Sequence, residues 1–162
     1  MTLATHIVIA SAITKSLSTS PILGFFIALL SHYLTDAIPH WDYRLRSLRE
    51  ESPADQRKFS SLNDFFVDLG KMAFDFFFGA VLAIWMLSPD SLEKWIYSAG
   101  IIAGAVLPDF LQGIYYTRRA EFLLPVQKFH DFLHTKIKLG RYPAFGVPLQ
   151  AILFIVAIWG AN

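Results

Sequence analysis

Residues 76–87 and 143–159 contain no charged side chain, and most of the basic residues are gathered into two polar stretches between apolar runs. Apolar runs of this length must be covered, either by the rest of a large core or by lipid. In lipid, every backbone N–H and C=O has to be bonded within the protein, and uniformly apolar runs of this length suit helices. The chain has 162 residues, enough for one domain, and is 54% hydrophobic with 17% charged residues. The usual charged share is about a quarter. A large soluble helical bundle would also be apolar, but this balance points to an all-α, small polytopic membrane bundle of four to five apolar helices. One amphipathic loop helix is expected beside them.

Five apolar segments are expected. The first spans residues 3–17 and ends in Ser16-Leu17-Ser18-Thr19-Ser20. Pro21 suits the first position of a second helix capped by Ser20, which Pro39 stops near residue 38. The third spans 64–87, with Asp68, Lys71 and Asp75 in its first half. Ser88-Pro89-Asp90-Ser91 reads as a turn before a fourth helix, 92–116. The fifth spans 143–159, near the lower limit for crossing about 30 Å of hydrocarbon. Residues 41–63 read as a solvated loop, and 117–142 as a polar stretch holding an amphipathic helix over 126–138. The N-terminus lacks the basic region of a signal peptide, so the first helix is expected in the mature protein.

If the five segments alternate across a membrane, the two polar stretches fall on one side. They hold eleven of the fourteen Lys and Arg residues. The positive-inside tendency then makes both cytoplasmic, in an inner-membrane, multi-pass protein. A net charge of +1 without a long basic run argues against a nucleic-acid partner.

The same alternation gathers the polar chemistry. His32, Asp36 and His40 are spaced four apart, which on a helix places them on one face. His130 and His134 repeat the spacing, and His6 begins the first segment. All five histidines, with Asp36, Asp75 and Asp109, fall toward the cytoplasmic end. Ionisable groups in apolar surroundings need partners, and a divalent ion is one that suits them. With no cysteine, a metal site must use N and O donors, which suits Zn, with Mn or Fe as alternatives.

His6, His32, Asp36, His40, His130 and His134 are therefore the candidate ligands for one or two ions. Asp75 and Asp109 are candidate catalytic carboxylates that would shuttle a proton. Asp68 is expected in solvent near the interface. Arg44, Arg118 and Lys128 could hold a substrate phosphate. The bland reading of the same residues is a hydrogen-bonded polar cluster at helix ends. Two functional classes fit: a metal-dependent hydrolase of a phosphoester in a membrane lipid or lipid-linked substrate, and a non-enzymatic ion-binding or carrier protein.

Thr5-His6, Ser31-His32 with Asp36, Pro39-His40 and Asp42, and Leu107-Pro108-Asp109 resemble segments of the bacterial membrane-bound metal-dependent hydrolases. The His32–His40 piece is also similar to a helix of zinc-dependent phospholipase C. The resemblance covers about a third of the chain. It implies an inner-membrane hydrolase with zinc held by His32, Asp36 and His40, His6 being a further candidate ligand.

Overall fold

The computed structural model describes residues 1–47, 61–118, 120–137 and 139–161. The regular elements among them are helices: α1 (Leu3–Leu17), α2 (Pro21–Asp36), α3 (Leu62–Leu87), α4 (Leu92–Arg118), α5 (Leu124–Leu133) and α6 (Pro143–Gly160). Short 3-10 turns at Glu121–Leu123 and Leu139–Arg141 flank α5. The five apolar helices and the loop helix expected from the sequence are all present.

Local signals explain most helix ends. Ser20 accepts the Leu23 N–H ahead of Pro21, and Ser61 accepts the Asp64 N–H, so α3 starts two residues earlier than expected. Ser88 closes α3 in the left-handed region, φ 44°. Two ends differ for physical reasons. Helix α2 stops at Asp36, because Pro39 disfavours helical backbone at Ile38; Ala37 N–H still reaches Tyr33 O, and Ile38 N–H then makes a 3-10 bond to Thr35 O. Helix α5 stops at Leu133, where His134 turns extended and Thr135 N–H bonds to Asp36 O at 2.8 Å.

Helix α1 lies at the centre, packed against α2, α3, α4 and α6. It buries Ala4, Ile7, Val8, Ile9 and Ala10 together with the polar Thr5, His6, Ser11 and Thr14. Two glycines let backbones meet. A Cβ on Gly79 would stand 2.6 Å from Ala4 Cα, and one on Gly104 would collide with the Phe25 carbonyl oxygen. Small residues at such crossings are the usual means of close helix contact where helices do not gain from leaving water.

The exterior is apolar. On α2 the exposed Ile22, Phe26, Leu30 and Leu34 form one stripe at four-residue spacing. Phe74, Phe77 and Val81 on α3, and Ile152, Ile155 and Trp159 on α6, are more than half exposed. Three helices, α3, α4 and α6, are long and apolar enough to cross a membrane. At 1.5 Å per residue α1 and α2 reach only about 22–24 Å, short of the hydrocarbon thickness.

Helix ends confirm the alternation. Lys15 Nζ donates to Met86 O at 2.9 Å and Ala161 O at 2.8 Å, so the C-terminal ends of α1, α3 and α6 share one end of the bundle. Tyr97 Oη donates to Ser18 O there, at 2.6 Å. The N-terminus of α1, the C-terminus of α2, and α5 lie at the other end. Gln150 of α6 donates to Thr2 Oγ1 at 3.0 Å and Thr5 Oγ1 at 2.9 Å near that end.

Replacing Gly104 by Leu should lower stability by about 1–3 kcal/mol, the range for overpacking a tight contact. Gly70→Ala is the control, since nothing lies within 4 Å of a Cβ there. Thermal unfolding in detergent would show a large loss for the first and little for the second; equal losses would mean that α2 and α4 do not touch at Gly104.

Candidate metal centre

Asp36 closes α2 with its side chain 1% exposed, and neighbours from four parts of the chain surround it. Its two oxygens face different groups. His130 Nε2 stands 2.9 Å and His32 Nε2 3.2 Å from Oδ2. His6 Nε2 stands 3.1 Å, the Met1 amino nitrogen 3.0 Å and His40 Nε2 3.8 Å from Oδ1. Asp109 of α4 joins the Oδ2 side, with its Oδ1 3.8 Å from His32 Nε2 and 4.0 Å from His130 Nε2.

The outer nitrogen of most rings is already committed. His32 Nδ1 lies 2.7 Å from Ala105 O, His40 Nδ1 2.7 Å from Ile38 O, and His134 Nδ1 3.1 Å from Thr135 O. A carbonyl oxygen only accepts, so each of these Nδ1 atoms carries the proton. Thr35 Oγ1 donates to the Ser31 and His32 carbonyls and so accepts from His6 Nδ1, at 3.0 Å. In the neutral ring the lone pair is then on Nε2. Four histidines are fixed in the tautomer that ligates through Nε2, the arrangement by which outer partners orient metal-binding imidazoles.

For His6 and His32 that nitrogen points at a carboxylate without a hydrogen bond. Both Nε2 atoms are buried and unbonded although Asp36 is within 3.2 Å. Lone pair facing lone pair is repulsive unless a cation stands between them. Two sets of donor atoms have the spacing for an ion, each set within 4.8 Å: His32, Asp36, Asp109 and His130, and Asp36, His40 and His134. Tetrahedral zinc with bonds of about 2.0–2.1 Å puts its ligand atoms roughly 3.3 Å apart, close to the separations around Oδ2. Asp36 belongs to both sets.

A positive group already fits the second set. The Met1 amino group lies 2.7 Å from His40 Nε2 and 3.0 Å from both Asp36 Oδ1 and Asp42 Oδ1. Burial works against its charge, but Asp42 and then Asp36 outweigh this and hold its pKa above the ordinary value. Asp42 shows the complement. Burial raises it, yet the Met1 ammonium holds it well below the usual carboxylate range. Burial also holds the His134 imidazole below its ordinary value, favouring the neutral form that binds metal.

The candidates divide as follows. His32, Asp36, His40, His130 and His134 fall within the two sets. His6 adjoins them, stacked on His32 with ring centroids 3.9 Å apart. Asp109, expected as a proton shuttle, sits among the ligand atoms. Asp75 has another occupation: its Oδ2 accepts the Leu3 N–H at 2.6 Å, capping α1 from α3. Arg44, Arg118 and Lys128 are exposed and outside both sets.

Asp68 is buried, contrary to expectation, and accepts from Ser47 N–H at 2.7 Å, Ser47 Oγ at 2.8 Å and Lys71 Nζ at 2.8 Å. Lys71 therefore pairs with Asp68 rather than with Asp75. Sequence reasoning missed the roles of Thr35 and of the Ala105 and Ile38 carbonyls. Pro108 offers a partial signal, since it removes one donor from the α4 ladder beside Ala105.

The capping role of Asp75 is separable from a chemical one. Asn caps about as well as Asp, while Ala loses roughly 1 kcal/mol. Asp75→Ala should melt earlier in detergent and Asp75→Asn should melt with the parent protein. Loss of turnover in Asp75→Asn with unchanged melting would restore the proton-shuttle role.

Compared with protein families, curated proteins and solved structures, the chain matches none.

Proposed function

We propose that this chain is a membrane-embedded, metal-dependent hydrolase whose centre holds two divalent ions, zinc by donor chemistry, with Asp36 between them. The observation that carries the reading is the set of Nε2 atoms aimed at Asp36, two of them buried and without a hydrogen bond. Hydrogen-bonded clusters point protons at acceptors; here the Thr35 hydroxyl and the Ala105 carbonyl fix the protons of His6 and His32 on the far side of the rings, while His130 alone keeps a hydrogen bond from Nε2 to Asp36. His32, Asp109 and His130 would hold one ion, His40 and His134 the other.

Such ions polarise a phosphoryl oxygen and make bound water acidic near neutral pH. The substrate class follows from position. A centre at one end of an apolar bundle meets the head group of a lipid or lipid-linked phosphoester while its tails stay in the bilayer. The basic stretches around residues 41–63 and 117–142 support a cytoplasmic side of an inner membrane for that end. Arg44, Arg118 and Lys128 are exposed near this end and would meet the phosphate as it arrives.

A second reading has one observation in its favour. The Met1 amino group already supplies a positive charge to Asp36 and Asp42. A non-enzymatic ion-binding protein would use the same groups. A through-path carrier fits less well, since among the described residues no histidine or buried carboxylate lies at the Lys15 end.

Metal analysis of detergent-purified protein decides between these. Two equivalents are expected in the parent chain, one in His134→Ala, and none in Asp36→Ala, which loses the shared ligand. Hydrolysis of phosphatidylglycerol in mixed micelles should require the metal and be lost in His32→Ala. No metal in any sample, after incubation with Zn²⁺ and Mn²⁺, would sink the hydrolase reading. Metal without hydrolysis of any phosphoester would favour the ion-binding one.

A further inference from the structure

Helix α5 has three faces where a loop helix in water needs two. At roughly 100° per residue, Gln127 and His130 share one sector, Lys128 and Asp131 a second, and Phe129 and Phe132 a third. The first faces the bundle: Gln127 is 3% and His130 2% exposed. The second is exposed and charged. The third is exposed and aromatic, with Phe129 at 51% and Phe132 at 80%, and Phe122 in the preceding turn at 79%. Three exposed phenylalanines within eleven residues need a cover, and none of the described residues supplies it.

The surroundings say what the cover is. Helices α4 and α6, on either side of α5 in the chain, are two of the three long enough to cross a bilayer. Phe129 packs edge-on against Tyr33 of α2, ring centroids 5.2 Å apart. The next residue, Leu34, ends the exposed stripe of Ile22, Phe26 and Leu30. The aromatic face of α5 thus continues an apolar surface that runs the length of α2. Lys128, about 40° from Phe132 around the helix, sits where phosphate head groups begin.

We propose that α5 lies in the plane of the membrane surface, with Phe122, Phe129 and Phe132 in the boundary between head groups and acyl chains. The partner is the lipid bilayer. The inference rests on reading α3, α4 and α6 as membrane spans, and it stands whether or not the metal centre is catalytic. It has a consequence for the site: the helix that carries His130 and leads into His134 is seated on lipid, so the bilayer surface fixes the depth of that half of the ligand set.

The chain has no cysteine, so single cysteines can be placed and spin-labelled without removing any. Labels at Phe122→Cys, Phe132→Cys and Lys128→Cys, with Phe77→Cys of α3 as reference, would be read in vesicles of phosphatidylcholine and phosphatidylglycerol. Accessibility to oxygen, which concentrates in lipid, is compared with accessibility to a water-soluble nickel chelate. Positions 77, 122 and 132 should favour oxygen, and position 128 should favour nickel, an inversion of sign within one turn. Oxygen preference at 77 but nickel preference at 122 and 132 would overturn the proposal and leave the spans intact. Nickel preference at 77 would remove the spans and the proposal with them. Labels at 122 and 132 shielded from both reagents would show a protein cover, a second copy or another partner, and would also overturn it.

Discussion

Everything at the polar end of this bundle answers to one buried carboxylate. Removing an ionised carboxylate from water costs several kcal/mol unless donors or cations surround it. Asp36 has 1% of its side chain exposed and draws a partner from α1, from its own helix, from the segment after it and from α5. Its backbone carbonyl holds Thr135 as well. Without this residue, α5 would lose the His130 contact that holds it against α2. The contact between His130 and Asp36 spans 94 residues of sequence, so it closes the bundle as well as the site.

The apolar exterior makes that concentration of polarity possible. Where the outer faces of α2, α3 and α6 are largely Phe, Leu, Ile, Val or Trp, polar side chains turn inward or gather at an end. The central α1 shows both. Ser11 satisfies itself by donating to the Ile7 carbonyl at 2.8 Å, while Thr5 and His6 reach across to Gln150 and Thr35. At the opposite end one Lys15 ammonium is shared by the C-termini of two helices, where the helix dipoles favour a cation. The bundle is thus pinned at both ends by charge and along its length by close packing at Gly79 and Gly104.

The helices were legible in the sequence because their signals are local: runs of apolar residues, Ser20-Pro21, Ser88-Pro89, Pro39. So was the gathering of histidines at one end, because alternation of five segments fixes which ends meet. Three things were not legible, and each depends on a backbone group that no sequence pattern marks. Asp75 looks like a buried acid in a membrane helix, but its partner is the free N–H of Leu3, which no spacing within α3 reveals. His134 looks like the second member of a helical pair, but Asp36 O draws Thr135 out of the helix. The tautomers of His32 and His40 are set by the Ala105 and Ile38 carbonyls, which every residue possesses and no sequence pattern marks.

The early end of α2 has the largest effect on what the site can be. Had the helix run on through His40, His32, Asp36 and His40 would stand in one row, and His40 would compete for the same side of the carboxylate as His32. Pro39 forbids this by straightening the backbone before it. The chain leaves the helix at Ala37, and His40 arrives from outside, 3.8 Å from Oδ1, while His32 keeps Oδ2 at 3.2 Å. A motif that reads as a linear triad folds into a carboxylate approached from two sides. His130 and His32 crowd Oδ2, and His6 and His40 face Oδ1, so the carboxylate meets imidazoles on both oxygens.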